Sequence, residues 1–311
     1  MQGTRRGVKA EPAVLEETAT SPASGDGGGE SSRRRARACR RICLVLALAA
    51  GLSLSAVGLI ATPLDQDLDT TAAGAQSLVP TLQAEGVVFT GTPAVGALFS
   101  ITGGGSLGGH FCSASVVDSP ARDLVITAAH CVGGGGQIAF VPGYDNGRMP
   151  YGVWRVTRVI VDPSWTSSAN PGADVAFLVV TGQDGARIQD VTGGEQLGVG
   201  RAAGQDVRVV GYPQASNAPI RCDNLAREFS PTQLVFDCGG YTDGTSGGPF
   251  LEDVNPTTGL GTVIGVIGGY EQGGDIASVS YAARFGALVA DLYKTATGQL
   301  SRTPVTAGYG Q

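Results

Sequence analysis

The segment TDGTSGGPF, residues 242–250, sets Ser246 among three glycines at positions 244, 247 and 248. A glycine-flanked serine can lie on a tight turn, because glycine adopts backbone angles that other residues resist. In such a turn the backbone N–H groups can converge on one point and stabilise an oxyanion. The segment therefore predicts a nucleophile turn in which Ser246 is the nucleophile, and Gly244 and Ser246 donate the two N–H groups.

The chain contains only two histidines, His110 and His130, so a mechanism that needs an imidazole base must use one of them. His130 lies in TAAHC, residues 127–131, where small residues permit close packing and Cys131 can fix the turn. A general base has to be held rigidly, since a loose imidazole loses the reactive geometry. His130 is therefore the candidate base, and His110 is predicted to be structural or part of a substrate loop.

Both motifs resemble those of the chymotrypsin-like serine proteases. TAAHC is identical to that family's histidine motif, and GTSGGP, residues 244–249, resembles its Gly-Asp-Ser-Gly-Gly-Pro motif. The resemblance covers residues 91–298 and is strongest to the bacterial branch that includes the glutamyl endopeptidases. It implies a peptidase activity that depends on a serine, a histidine and an aspartate.

The family order is His, Asp, Ser, and Asp174 lies 44 residues after His130 and 72 residues before Ser246. Its segment DVAFL, residues 174–178, resembles the family's Asp-Ile-Ala-Leu-Leu. The resemblance implies that Asp174 fixes the tautomer of His130 and stabilises the imidazolium that forms when Ser246 loses its proton. The plainer interpretation is a packed histidine, a strand cap and a turn serine. Three groups in catalytic order on a β-rich background favour the triad.

Segments of strand length, separated by glycine-rich turns, follow residue 86 and favour closed antiparallel β structure. The predicted strands span residues 95–101, 111–117, 124–127, 137–141, 153–161, 175–180, 207–211, 233–236, 261–267 and 276–281. One helical pattern follows, in which apolar residues recur at helical spacing: Phe285, Leu288, Val289, Leu292 and Tyr293. Together with the resemblance, this predicts an all-β, chymotrypsin-like fold with two six-stranded antiparallel β-barrels and a C-terminal helix.

The formal charge of −6 is unevenly distributed along the 311 residues. Residues 1–41 carry nine Lys or Arg and five acids, whereas residues 42–311 carry 12 basic and 22 acidic side chains. An acidic body repels a phosphate backbone, so nucleic-acid binding is disfavoured. Weak steering of cationic substrates is the most that this charge supports.

Six cysteines fall into two groups, Cys39 and Cys43 beside an apolar segment, and four in the body of the chain. Four cysteines allow three pairings, and spacing does not choose among them. The family resemblance implies the bridges Cys112–Cys131 and Cys222–Cys238. No Cys-x-x-Cys spacing occurs, so neither a metal site nor a cofactor is expected.

The N-terminal part divides into segments of distinct composition. Residues 1–41 are predicted to be a disordered basic region. Residues 42–61 are twenty uncharged residues, ICLVLALAAGLSLSAVGLIA, which predict a signal peptide or a transmembrane anchor. Residues 62–90 read as a linker or propeptide. A trypsin-like serine protease domain is then expected over 91–298 and a flexible tail over 299–311.

Two departures from the family affect the site. Thr245 stands where the family usually has an aspartate, so the activation switch that binds a new N-terminal amine should be absent. The resemblance assigns the specificity pocket to Gly240, Thr242, Gly268, Gly269 and Tyr270. These residues include no buried carboxylate that could bind a substrate Arg or Lys, and no histidine that could bind a substrate Glu. The pocket is therefore expected to prefer a small or medium uncharged substrate side chain. Asp243 is either a rim residue or a solvated turn acid.

Three functions compete. The first is an endopeptidase that is secreted or anchored to the outer face of the cytoplasmic membrane, monomeric, acting on protein or peptide substrates and touching a membrane only through its N-terminal segment. The second is a binding module that keeps the barrels and has lost turnover. The third is an esterase on the same scaffold. The complete set of catalytic residues favours the endopeptidase.

Overall fold

The computed structural model describes residues 83–299, to which every statement on the fold refers. The predicted basic region 1–41, the apolar segment 42–61 and most of the linker lie outside the described residues, as does the tail from residue 300 onward. Within residues 83–299, no helix is long and apolar enough to cross a membrane.

The described residues form 14 β-strands and three α-helices. The strands are β1 (Val87–Val88), β2 (Val95–Ile101), β3 (Leu107–Val117), β4 (Leu124–Thr127), β5 (Ile138–Pro142), β6 (Trp154–Val161), β7 (Ala176–Thr181), β8 (Gln196–Leu197), β9 (Gln205–Gly211), β10 (Ile220–Ser230), β11 (Gln233–Asp237), β12 (Pro249–Glu252), β13 (Thr262–Val266) and β14 (Val279–Ala283). The helices are α1 (Pro163–Ser168), α2 (Ile188–Thr192) and α3 (Ala287–Ala296).

The first barrel consists of β2, β3, β4, β7, β6 and β5, which pair in that order and close on themselves. All its neighbouring strands are antiparallel. The four residues of β4 and the five of β5 are all buried. A barrel of this size has its interior filled by side chains, so it is a packed core rather than a channel.

The second barrel consists of β14, β11, β10, β9, β12 and β13, in that order. An isolated bridge between Ile267, just after β13, and Ala282 of β14 brings the two ends of this sheet together. The short strand β8 adds in parallel to β13, and β1 adds to β10. The predicted all-β fold with two barrels is confirmed.

Helix α3 ends the described fold and packs on the first barrel. Val289 and Leu292 are buried in one cluster with Phe177 of β7. Tyr293 places its ring 5.8 Å from that of Phe177, in an edge-to-face arrangement that aromatic pairs favour. The predicted C-terminal helix with one apolar face is confirmed.

Residues 84–86 run beside the second barrel, ahead of the domain boundary predicted at residue 91. The N–H of Gly86 donates to the Gly239 carbonyl at 2.9 Å, and the N–H of Gly239 donates to the Ala84 carbonyl at 2.8 Å. These residues therefore extend the sheet by backbone hydrogen bonds. The boundary itself stays a prediction.

The strand predictions succeed where apolar residues are continuous. Strands β2 and β4 have the predicted bounds, whereas β10 and β12 were missed. In β10, the sequence IRCDNLAREFS mixes buried residues with five charged or amide side chains, so it lacks an apolar run. Strand β12 has only four residues and begins at Pro249, directly after the nucleophile turn.

Both disulfides implied by the family resemblance are present. Cys112–Cys131 joins β3 to the turn that carries His130, and Cys222–Cys238 joins β10 to the residue after β11. Closing a loop of 19 residues limits the unfolded chain and stabilises the folded one by about 3 kcal/mol on the chain-entropy account.

Glu195 is a buried acid that ties the two barrels together. Its backbone exchanges hydrogen bonds with Val116 and Asp118 of the first barrel region, and its carboxyl accepts one from the N–H of Gly261, next to β13, at 2.5 Å. The other carboxyl oxygen has no partner within the described residues. Burial raises the pKa of Glu195 to about 8, so its carboxyl is protonated in the folded protein at neutral pH.

We predict that Glu195→Gln raises stability most at high pH. From pH 4.5 to pH 8 the acid ionises in the unfolded chain and stays protonated in the folded one. Its contribution to the free energy of unfolding therefore falls by about 3 kcal/mol between pH 5 and pH 8. Glutamine keeps the shape of the glutamate side chain and never ionises. Urea unfolding at both pH values measures the difference between variant and wild type.

Glu271→Gln is the control, because Glu271 is exposed. The difference in free energy of unfolding between this variant and the wild type should not grow with pH. A constant difference between Glu195→Gln and wild type from pH 5 to pH 8 would contradict the assignment of a buried, protonated carboxyl.

Candidate active site

Strand pairing brings His130 and Asp174 to the same end of the first barrel. His130 follows β4 on the 3₁₀ turn Ala129–Val132, and Asp174 precedes β7 after the turn Pro171–Ala173. Because β4 and β7 are antiparallel, with Thr127 opposite Ala176, the end of one strand lies beside the start of the other.

The Asp174 carboxylate accepts three hydrogen bonds. One oxygen accepts from the backbone N–H of His130 at 2.8 Å, and the other accepts from the His130 ring Nδ1 and from the N–H of Gly269, each at 2.8 Å. The side chain of Asp174 is fully buried, whereas that of His130 is 14% exposed. A carboxylate only accepts, so Nδ1 carries the proton and Nε2 is left as the basic nitrogen.

Two glycines of the second barrel support this pair. Gly269 donates to Asp174, and a Cβ on Gly268 would lie 2.9 Å from the Asp174 carboxylate and 3.2 Å from the Ala128 Cβ. A larger residue at 268 would therefore displace the carboxylate. The family-based assignment put both glycines in the wall of the specificity pocket; their contacts show that they also hold the acid.

The nucleophile turn, residues 243–247, has each of its four peptide planes held by a hydrogen bond. Carbonyls of Asp243, Gly244, Thr245 and Ser246 accept from Gln214 N–H (2.7 Å), Ser113 Oγ (2.9 Å), Gly248 N–H (2.9 Å) and Ser113 N–H (2.7 Å). Within one peptide plane the C=O and the following N–H point in opposite directions. The carbonyl contacts therefore determine where the N–H groups point.

Two N–H groups of the turn are left for an oxyanion. Within residues 83–299, neither Gly244 N–H nor Ser246 N–H donates to a protein oxygen, whereas the N–H of Thr245 between them donates to Thr242. The carbonyls of Asp243 and Thr245, which precede the two groups, are turned away by their own partners. Gly244 has φ of +93°, which favours glycine. The two predicted oxyanion donors are thus unoccupied and held in place.

Thr245 replaces the aspartate of the family motif with a local contact. Its hydroxyl donates to the Thr242 carbonyl at 2.7 Å, and the side chain is 3% exposed. Its methyl and Cβ lie against Gly211, where a Cβ would come within 3.0 Å of both. The turn is therefore stabilised by packing and a hydrogen bond within the chain, without a carboxylate at this position.

His130 and Ser246 line one open cleft of about 1450 Å³. Of the predicted pocket residues, Thr242 also lines this cleft, whereas Gly240, Gly268, Gly269 and Tyr270 lie outside its lining. The lining instead includes Tyr241, Ser280 and the loop 271–277. The sequence did not predict the loop 271–277 as part of the cleft, because the predicted strand 276–281 overlaps this loop. The observed strand begins only at Val279.

Acidic side chains surround the cleft. Asp243, Glu271 and Asp275 line it and are exposed, and no Lys or Arg is among the lining residues within the described part of the chain. Exposed charges act weakly and are screened by salt. They make the cleft mildly attractive to cationic groups and repulsive to anionic ones.

His110 lies apart from the cleft lining, in the first barrel. It is buried between the rings of Phe99 and Tyr144, with centroids 5.7 and 6.0 Å away. Its Nε2 donates to the Ser216 carbonyl at 3.1 Å, and burial lowers the pKa of His110. Burial therefore favours the neutral form of His110, which links the first barrel to the loop after β9.

One cluster within the described residues has the composition of a metal site, Cys112, His130 and Cys131. The two sulfurs are bonded to each other, so neither can serve as a thiolate ligand. His130 is already held by Asp174.

Comparison with known proteins agrees with the fold and the motifs. A trypsin-like peptidase domain matches residues 112–266. No curated protein matches the chain in sequence. Among solved structures, the protease Anisep from Arthrobacter nicotinovorans is 28% identical, with a TM-score of 0.58, over 68% of this chain and 98% of its own.

A thermostable serine protease, AL20, from an extremophilic microorganism is 26% identical, with a TM-score of 0.57, over 67% of this chain and 99% of its own. A Glu endopeptidase in complex with MPD shares the fold at 16% identity and a TM-score of 0.53, over 70% of this chain and 98% of its own. The chain belongs to the chymotrypsin-like family of trypsin-like peptidases. Its fold is that of a serine protease, and the family match supports a peptidase of the hydrolase class.

We predict that Gly244→Ala lowers kcat by about 100-fold or more, because the backbone N–H of residue 244 is displaced from the oxyanion position. The added Cβ would lie 2.5 Å from the Gln214 nitrogen and 2.6 Å from the Tyr212 oxygen, so the turn has to move. The measurement is steady-state hydrolysis of an activated peptide ester or amide.

Gly204→Ala is the control for backbone strain alone, since Gly204 also has a positive φ, +85°, and a Cβ there meets nothing within 4 Å. Equal losses in both variants would mean that the geometry of the turn at Gly244 has no special part in the reaction.

Proposed function

We propose that this protein is an extracytoplasmic serine endopeptidase that cleaves peptide bonds through Ser246, His130 and Asp174 and an acyl-enzyme intermediate. The observation that carries the proposal is the Asp174–His130 pair beside a turn whose Gly244 and Ser246 N–H groups are unoccupied. Both halves of the site border one cleft.

In the proposed mechanism the Ser246 hydroxyl attacks the substrate carbonyl carbon while His130 Nε2 takes its proton. Asp174 stabilises the resulting imidazolium through Nδ1–H. The carbonyl oxygen becomes an oxyanion that accepts hydrogen bonds from Gly244 and Ser246. His130 then gives its proton to the leaving amine, and the acyl group stays on Ser246. A water molecule then gives a proton to His130 and bonds to the acyl carbon, the bond from that carbon to Ser246 Oγ breaks, and His130 returns the proton to Ser246, so that the acid product leaves.

The two disulfides support action outside the cytoplasm, since such bonds persist in oxidising compartments. The apolar segment 42–61 supports the same conclusion as a signal peptide or membrane anchor. In either form the protease domain acts as a monomer on protein or peptide substrates.

The substrate residue before the scissile bond is proposed to be small or medium and uncharged. Gly274, Ala277 and Ser280 border the cleft and leave room for such a side chain. The rim acids Asp243 and Glu271 disfavour an acidic residue by repulsion, and their exposure makes them too weak to select a basic one strongly.

The alternative, a barrel that binds without turnover, predicts a closed cleft or an oxyanion site filled by the protein. The open cleft and the two unoccupied N–H groups argue against it within the described residues. Two solved structures above 25% identity, Anisep and AL20, are named as proteases, which also favours catalysis.

A fluorophosphonate probe tests the nucleophile directly, because it bonds covalently to an activated serine. We expect the purified, disulfide-bonded protein to be labelled at Ser246, and we expect Ser246→Ala and Asp174→Asn to lose labelling or to slow it by about 10⁴-fold. Peptide mapping by mass spectrometry identifies the site.

Labelling of the half-buried, non-catalytic Ser278 in place of Ser246, or no labelling of folded wild type, would exclude the proposed nucleophile. The melting temperature of each variant shows whether it is folded. A folded, unlabelled wild type would favour the binding module.

We predict that a library of peptides with one varied residue before the scissile bond gives a kcat/KM about two- to fivefold higher for alanine or valine than for glutamate, the range that exposed charges allow. The repulsion is electrostatic, so the ratio should shrink as salt is raised. Glu271→Gln should reduce the ratio further. A preference for glutamate that exceeds that for alanine would contradict the proposed pocket.

A further inference from the structure

Ser113 is a buried polar residue in the middle of β3, next to the disulfide cysteine Cys112. Its side chain is fully buried. A buried hydroxyl in an apolar strand needs hydrogen-bond partners, and partners in a neighbouring element give it a specific place. Ser113 finds its partners in the second barrel.

The Ser113 hydroxyl joins two segments that meet at the nucleophile turn. It donates to the Gly244 carbonyl at 2.9 Å and accepts from the Tyr212 N–H at 2.8 Å. The hydroxyl has one proton, so a single donated and a single accepted bond satisfy it. Its backbone N–H also donates to the Ser246 carbonyl, at 2.7 Å.

Two peptides meet at Gly244, and a hydrogen bond to the carbonyl of each one holds it. The upstream peptide is held by Gln214 N–H on the Asp243 carbonyl, and Gln214 lies two residues after Tyr212. The downstream peptide is held by Ser113 itself. The Gly244–Thr245 peptide lies between the peptides that carry the Gly244 and Ser246 N–H groups. Glycine rotates freely about φ and ψ, so without its anchor this peptide can turn and move the two N–H groups relative to each other.

Ser113 is itself held by the histidine motif. The Thr127 hydroxyl donates to the Ser113 carbonyl at 2.8 Å, and Thr127 begins TAAHC. Gly247 packs directly against the Thr127 hydroxyl and the Ser113 carbonyl, which leaves no room for a side chain. Ser113 therefore lies between the base and the nucleophile turn.

We propose that Ser113 is a positioning residue whose hydroxyl orients the Gly244–Thr245 peptide and so holds the two oxyanion donors, the N–H groups of Gly244 and Ser246, in position relative to each other. The proposal rests on the proposed function, since it gives one residue a role in that reaction. Ser113 does not touch the substrate. It acts through Gly244 and Tyr212.

Ser113→Ala leaves the Gly244 carbonyl and the Tyr212 N–H without their partner. Oxyanion contacts strengthen in the transition state, so their misalignment lowers kcat and leaves KM almost unchanged. We expect kcat to fall about 10- to 100-fold. A peptide boronate, which mimics the tetrahedral state, should bind more weakly by a similar factor, whereas a peptide product should bind as before.

Ser115→Ala is the matched control. Ser115 lies two residues further along β3, is fully buried, and its hydroxyl has no partner within the described residues. Both variants lose one oxygen from the same strand, so a general effect on the barrel would appear equally in both. We expect Ser115→Ala to keep kcat, KM and boronate affinity within about twofold.

Crystal structures of both variants separate this proposal from the proposed function. We expect the Gly244–Thr245 peptide to rotate or take several orientations in Ser113→Ala and to stay unchanged in Ser115→Ala. If the peptide rotates in Ser113→Ala but the wild-type protein shows no turnover, Ser113 still orients the peptide and the proposed function is wrong. An unchanged peptide, with kcat equal to that of Ser115→Ala, would overturn the role of Ser113.

Discussion

The buried carboxylate of Asp174 is the contact on which the candidate site depends. It accepts hydrogen bonds from two groups of His130 in the first barrel and from Gly269 in the second. A buried carboxylate is stable only when its oxygens are satisfied, so its presence forces the barrels into one relative arrangement. That arrangement determines which imidazole nitrogen is basic, and it places the base on the cleft that the nucleophile also borders.

The nucleophile turn, residues 243–247, is the second half of the site. It also depends on buried polar groups that have hydrogen-bond partners, but these groups are neutral. Each carbonyl of residues 243–246 is held by a donor of the protein, whereas the N–H groups of Gly244 and Ser246 have no protein partner within the described residues. Donors already oriented before the reaction need no reorganisation when negative charge develops, which is why such sites accelerate acyl transfer. The absence of the family aspartate at Thr245 is compatible with this, because local bonds replace it.

The catalytic motifs and the antiparallel β structure could be predicted because both depend on local sequence, and the arrangement in two barrels followed from the family resemblance of the motifs. TAAHC and GTSGGP carry their chemistry within a few residues, and strands such as β2 are continuous apolar runs. Strand β10 was missed because half of it faces solvent and its charges hide the alternation. Ser113 could not be found, since Ser115 occupies an equivalent place in the same strand and only the tertiary fold gives one of them partners. The loop 271–277 was not among the residues assigned to the pocket, because its residues meet the cleft only after folding.

The most direct test is a crystal structure of the protein bound covalently to a peptide phosphonate or boronate. The account predicts a bond from the inhibitor to Ser246 Oγ, with one inhibitor oxygen about 2.7–3.1 Å from the N–H nitrogens of both Gly244 and Ser246. His130 Nε2 should lie within hydrogen-bonding distance of the adduct, while its Nδ1 stays on Asp174. An adduct at another residue, or an inhibitor oxygen that meets neither N–H, would contradict the account.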